Sequence, residues 1–316
     1  MRILPPARSA PGNRLSTTFT YNSPARVSPT PPERKRNMTA ISPEMTLPRP
    51  RARHNPLAPL ATLAARRFQL SVRTPRELVV PLLTPILFAL VIAPALKQAL
   101  HTSAAYEAFV ATGTIGLLIP LNTMFAGLGV IVDRDGGAQR ELLAAPIPRS
   151  LLVLGNLAVA FAITALQVAV LIAAAVARGI HFNATATGVV WFVAAAALFT
   201  VGMYGVGETL ASRVPKAEEY IARLPAIAIV PWFLAGSLFP ISALPGFLAW
   251  FAKFLPLTHG LALVRYGLLG DSSGLHNIWS MHSATTMATL SLAVVAFFAA
   301  ALMVISIRAF NRAAVR

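Results

Sequence analysis

Residues 150–177 read SLLVLGNLAVAFAITALQVAVLIAAAVA, and no charged side chain interrupts the run. As an α-helix rising about 1.5 Å per residue, it outreaches the roughly 30 Å hydrocarbon core of a bilayer. A helix apolar on every face has either a large protein interior or lipid for its solvent. Composition decides between them. The chain of 316 residues is 56% hydrophobic and 12% charged, with a mean hydropathy of +0.65. Soluble domains carry about 25% charged residues. A water-facing surface of this size needs charges that are not there, so lipid is the main solvent.

Five other segments are long and apolar enough to cross: residues 77–96, 108–132, 188–211, 224–240 and 284–307. The expected fold is therefore an all-α membrane protein with six transmembrane helices. Pro75, Pro81, Pro85 and Pro94 are expected to bend or interrupt the first span. Lys and Arg counts orient the chain, because cytoplasmic connections are enriched in both. With both termini inside, 23 of the 27 lie on the cytoplasmic side, leaving only Lys97, Arg178, Lys253 and Arg265 opposite. Between the fifth and sixth spans, residues 241–283 are apolar but broken by Pro245, Gly246, Lys253 and Pro256. Each piece is too short to cross, and backbone inside lipid must be satisfied by helix or by protein. Short re-entrant helices in the outer leaflet are expected there, with Trp250, Tyr266 and Trp279 at the interface, and a seventh and eighth full span is the alternative.

A net charge of +16 suggests nucleic acid at first. The basic residues flank apolar blocks instead of patterning a folded surface, so no nucleic-acid partner is expected. The absence of cysteine excludes disulfides, thiolate metal sites and thiol catalysis. Residues 1–55 are rich in Pro, Ser, Thr and Arg and are expected to be a disordered basic leader. Met38 and Met45 are alternative starts, making the first 37 to 44 residues a dispensable extension in this reading. Residues 56–76 follow a helical period: Leu57, Leu60, Ala64 and Phe68 share one face, with Arg66, Arg67 and Arg73 around the rest. This predicts an amphipathic helix on the cytoplasmic surface, and residues 77–316 then form the transmembrane domain.

The loop before the opening span carries the most meaning. From residue 133 it reads DRDGGAQRELLAAPIPRS. Gly136 and Gly137 permit a sharp reversal. A short helix follows at 138–145 and ends at Pro146 and Pro148. Leu142 and Leu143 give it an apolar side, with Arg140 and Glu141 on the other. Such a helix, held between two spans, can dock in a groove of a partner protein.

This run, Asp133 and Arg134 followed by Gly136, Glu141, Leu142, Leu143, Pro146 and Arg149, resembles the signature loop of ABC type-2 permeases. That family includes daunorubicin-resistance, nodulation-factor and polysaccharide exporters. Gly137 stands where Thr is frequent in the family. A second match covers residues 233–270, through Pro240, Leu244, Pro245, Pro256, Leu257, Thr258 and Arg265. The resemblance covers about residues 57–316. It implies a permease dimer, of two copies or of two paralogues, with a separate ATP-binding subunit docked on residues 133–149. The chain has no Gly-Lys dipeptide, so it lacks a phosphate-binding loop of its own.

Other features have simpler readings. The G-x-S-x-G match at residues 270–274 lacks a strand–turn–helix context and reads as a loop. The six histidines, at 54, 101, 181, 259, 276 and 282, show no metal-binding spacing, and Asn183-Ala184-Thr185 matches a glycosylation acceptor by chance. Glu208, the acidic residue inside a span, either lines a cytoplasmic vestibule or pairs with Arg213 or another base. The glycines of the second and fourth spans read as close helix packing, or as a path for substrate. No cofactor and no catalytic residue are expected. The expected function is the permease of an ATP-driven exporter of a hydrophobic or amphipathic solute (drug, lipid or glycan), in a bacterial plasma membrane. An ion-coupled secondary transporter is the alternative, and a membrane-embedded enzyme lacks a convergent catalytic set.

Overall fold

The structure is a computed structural model, and it describes residues 57–73, 79, 83, 86–101, 103–144 and 147–313. The reading of residues 1–55 as a leader lies outside the described residues, as do Pro75, Pro81, Pro85, Pro146 and part of the N-terminal half of the first expected span. Among the described residues every regular element is helical. In chain order, α1 is Leu57–Arg73, a π-helical turn at Phe88–Ile92 leads into α2 at Ala93–Leu100, and α3 is Ala104–Asp135. The short α4 is Ala138–Ala144, α5 is Arg149–Ala177, α6 is Ala186–Ala211 and α7 is Ala217–Leu234. A 3-10 turn at Ile241–Ala243 precedes α8 (Gly246–Ala252), α9 (Pro256–Leu269), α10 (Ser273–Trp279) and α11 (Ala284–Ala313).

Four helices are long and apolar enough to cross a membrane, namely α3, α5, α6 and α11, and the pair α8–α9, bent by 78°, would count as a fifth. They coincide with the second, third, fourth and sixth expected spans. The fifth expected span differs. Helix α7 begins at Ala217, seven residues earlier than 224, and stops at Leu234, so Glu218, Glu219 and Arg223 enter it. The two glutamates stand in its first turn, where the helix dipole favours negative charge. Of the first span, the part from residue 86 onward is described, comprising the π-helical turn and α2. Pro94 lies in the first turn of α2, directly after the π-helical turn. A proline has no N–H for the carbonyl four residues back, and a widened turn is one way a helix accommodates that.

Helix α3 is the hub, packing against α5, α6, α7 and α9. Two apolar clusters stack along it, one around Ile115, Leu118 and Ile119 and one around Met124, Val130 and Ile131. Buried hydroxyls return to their own helix, as Thr112 Oγ1 does to the Ala108 and Phe109 carbonyls. Asn122 Nδ2 crosses to Thr164 Oγ1 of α5 at 2.6 Å, the kind of interhelical bond that holds helices together in lipid.

The segment after α7 forms short helices, with α8 and α9 meeting at a bend. Helix α9, read as a short piece dipping into the outer leaflet, is buried at every position from Leu257 to Arg265. It packs against α3, α6 and α11. Helix α8, bent away from it, leaves Phe247, Trp250 and Phe254 exposed. Backbone meets backbone where α9 crosses α6: a Cβ on Gly267 would lie 2.5 Å from the Gly188 carbonyl oxygen and 2.9 Å from Phe192 Cβ.

Gly267→Val should therefore lower stability by about 1–3 kcal/mol, the cost of overpacking a tight contact. Gly246→Ala is the control, because nothing lies within 4 Å of its added Cβ. Thermal unfolding in detergent should separate the two, and equal midpoints would contradict the close crossing.

Candidate functional site

The loop at the end of α3 turns on a single left-handed residue. Gly136 is helical and caps α3, whereas Gly137 has φ of +79° with open space around its Cβ position. The departure noted in the sequence thus falls where glycine suits the backbone best. Helix α4 then packs against α3, with no residue fully buried. Leu142 and Leu143 pack on the lower cluster, while Arg140 and Glu141 face outward. Arg149 opens α5 and is also exposed. A cation at a helix N-terminus opposes the dipole, so its position carries a small local cost.

Asp133 and Arg134 turn inward. Asp133 pairs with Arg66 of α1 at 3.5 Å and with Arg67 at 3.9 Å. Arg134 donates to the carbonyls of Ala211, Val214 and Pro215 at 3.1, 2.9 and 2.9 Å. Those carbonyls lie at and beyond the end of α6, where no intrahelical donor remains. The sequence groups nine residues, Asp133, Arg134, Gly136, Arg140, Glu141, Leu142, Leu143, Pro146 and Arg149, as one cytoplasmic coupling loop, and Pro146 lies outside the described residues. The structure divides them: Arg140, Glu141 and Arg149 are exposed, Leu142 and Leu143 half-buried, Asp133 and Arg134 engaged within the chain, and Gly136 and Gly137 form the turn.

Helix α1 presents a different face from the one expected. Phe68 is 49% exposed, while Arg67 is only 7% exposed. Leu60, Leu63 and Ala64 turn toward the protein with it, chiefly against α5. The guanidinium of Arg67 passes over Gly129 of α3, where an added Cβ would overlap it. Beyond it lies Glu208, fully buried in α6 and within electrostatic reach of Arg67. Its Oε2 accepts a hydrogen bond from Tyr204 at 2.9 Å, and its Oε1 has no hydrogen-bond partner among the described residues. Arg213, offered as a partner by sequence, is exposed. Glu208 is thus enclosed within the helices.

Sequence reasoning missed Arg67, Tyr220 and Arg265. Arg67 follows Leu60 by seven residues and Ala64 by three, which is the signal that puts it on the packed face. Tyr220 donates to the Met124 carbonyl at 2.7 Å, using space left by Gly127. Arg265, counted among the outer charges, is 4% exposed. It donates to the carbonyls of Gly236 and Ser237 at 2.8 and 3.0 Å and stacks 3.4 Å over the Phe109 ring. The glycines of α3 and α6 serve packing at each of these crossings. No group of three or more metal-ligating side chains gathers among the described residues.

A family model described as "ABC-2 type transporter" matches residues 59–269, two thirds of the chain. The chain is also similar to a protein named "Putative transport permease ycf38" from Porphyra purpurea, at 23% identity over 214 residues. That alignment covers 66% of this chain and 72% of the relative.

If Arg67 needs the gap at Gly129, then Gly129→Ala and Arg67→Ala remove the same interaction. Each should cost about 1–3 kcal/mol, because the buried Arg67 guanidinium is lost or displaced from its place beside Asp133. The double variant should cost little more than the worse single one. Additive losses in thermal unfolding would show that the two positions act separately.

Proposed function

The chain belongs to the ABC-2 type transporter family, and on that premise we propose that it is the permease subunit of an ATP-driven exporter. The ATPase is a separate polypeptide on the cytoplasmic side, since this chain has no Gly-Lys from which to build a phosphate-binding loop. The observation that carries the reading is the build of α4. This short helix shows Arg140 and Glu141 to solvent while its two neighbours, Asp133 and Arg134, are fastened to α1 and to the end of α6. A partner that grips α4 therefore grips the bundle. Arg149 adds an exposed cation whose cost at a helix N-terminus would be relieved by an acidic partner surface.

In this reading both termini are cytoplasmic, six spans cross a bacterial plasma membrane, and α1 lies along the cytoplasmic interface. Helices α8 and α9 re-enter from the outer side. Two permease copies, or this chain and a paralogue, would form the translocation path between them. Closure of two ATPase domains would tilt the spans through α4. The solute is hydrophobic or amphipathic, because the long helices offer apolar and aromatic surface and almost no charge. A groove of about 250 Å³ between α5 and α6, lined by Phe161, Val168, Phe192 and Val193, has that character. Ion coupling is less well supported: it asks for accessible intramembrane carboxylates, and Glu208 is enclosed.

Glu141→Arg should abolish copurification with the ATPase subunit and export with it, while membrane insertion and the unfolding midpoint stay unchanged. Retained copurification with full export would remove α4 from the coupling role.

A further inference from the structure

Helices α6 and α11 pack closely for much of their length. At Gly205 an added Cβ would lie 2.9 Å from the Leu302 backbone. At their C-terminal ends a cavity of about 730 Å³ opens beside both helices. Four arginines line it: Arg134 from α3, Arg213 just past α6, and Arg308 and Arg312, one turn apart on α11. Ser212 and Ile305 line it too. Arg134 is spent on carbonyls and on Asp135 at 3.5 Å. Arg213, Arg308 and Arg312 are exposed, and no ion pair engages them among the described residues.

Arginine at a helix C-terminus is favoured by the dipole, and basic flanks are common at cytoplasmic ends. Those two effects account for cations near each helix end. They do not account for four guanidiniums from three elements around one cavity whose lining includes no carboxylate, with Arg308 and Arg312 repelling at i, i+4. Such a cavity suits an anion, and forked guanidinium donors match phosphate oxygens best.

The surroundings choose the source of the phosphate. Helix α11 is the least enclosed of the long apolar helices, with 22% of its most apolar stretch buried. Its open face carries Phe297, Val304 and Ile305, the last 43% exposed and also part of the cavity wall. An acyl chain lying along this face brings a headgroup to the arginines. We propose that the cavity binds the phosphate headgroup of an anionic phospholipid from the cytoplasmic leaflet. The bound lipid would neutralise the cluster and tie α11 to the α3–α6 junction beside the coupling loop. The leaflet assignment rests on the orientation proposed above.

The test uses the full chain in a neutral detergent, titrated with phosphatidylglycerol or phosphatidylcholine and followed by thermal unfolding and native mass spectrometry. Phosphatidylglycerol should bind selectively and raise the midpoint. Arg308→Gln and Arg312→Gln should each weaken it about fivefold, and the triple variant that adds Arg213→Gln on the order of a hundredfold. Arg178→Gln, exposed at the other end of α5, should leave selectivity intact. The single variants decide the matter if the triple one does not fold. Equal binding of both lipids, or selectivity retained by the variants, overturns the proposal. So does equal stabilisation by inorganic phosphate without lipid, which would make this a soluble-anion site. Occupancy by the purified ATPase subunit with no lipid selectivity would assign the cavity to protein instead. Orientation is read separately: the chain has no cysteine, so Ala313→Cys should react with an impermeant maleimide only from the cytoplasmic side. Labelling from outside would overturn the orientation while leaving the lipid titration to stand.

Discussion

Helix α7 is bracketed by two arginines that satisfy backbone carbonyls, and much of the fold depends on that arrangement. Ahead of it, Arg134 takes the carbonyls of Ala211, Val214 and Pro215. Behind it, Arg265 takes those of Gly236 and Ser237. A carbonyl left bare beside an apolar core loses a hydrogen bond that water would otherwise supply, at a cost of about 1–3 kcal/mol each. Two helix ends and two tight connections would be expensive in this setting. One guanidinium at each end, able to donate several bonds in a fixed fork, offsets them. The two clamps reach from different helices, α3 and α9, so the connections of α7 also fix how those helices sit.

The same economy explains where the glycines fall. Polar side chains that cross between helices need room where the backbones are closest. Gly127 admits the Tyr220 hydroxyl and Gly129 the Arg67 guanidinium, while Gly113 leaves its carbonyl open to Trp232 Nε1 at 2.7 Å. Small residues in membrane helices permit close approach of backbones. Here they also permit a buried polar group to reach a specific oxygen.

Apolar runs were legible because lipid imposes a length and a composition that few other environments require. That is why α3, α5, α6 and α11 could be read from residues 108–132, 150–177, 188–211 and 284–307. The destination of each charge was not legible. Arg265 looks like any loop cation until Gly236 and Ser237 are brought beside it, 29 and 28 residues away along the chain. Helix α9 reads in sequence as a short re-entrant piece because Lys253 and Pro256 break the apolar run around it, and its burial within the protein was not legible. Hydropathy does not distinguish a helix buried in protein from one buried in lipid. In the loop between α3 and α5, the pair Leu142 and Leu143 beside the pair Arg140 and Glu141 was enough to tell the packed side of α4 from its exposed side. The inward turn of Asp133 and Arg134 depended on residues in α1 and after α6.

The proposed coupling mechanism is constrained by the difference between breaking a clamp and moving it. Removing Arg134 from its carbonyls would leave three acceptors unsatisfied at once, a cost of several kcal/mol if none found water. In that proposal a push on α4 would pass through the turn at Gly137 into α3, whose last turn is bonded to α1 and to the end of α6. The low-energy response is therefore displacement of α1, α3 and the α6–α7 connection as one body, with the bonds of Arg134 and Asp133 kept. Helix α11 follows through its packing on α6, α9 and α10, since no ion pair ties its basic end to the others among the described residues. A lipid phosphate held between Arg213, Arg308 and Arg312 would supply that missing link, and its presence would decide whether α11 travels with the body or lags behind it.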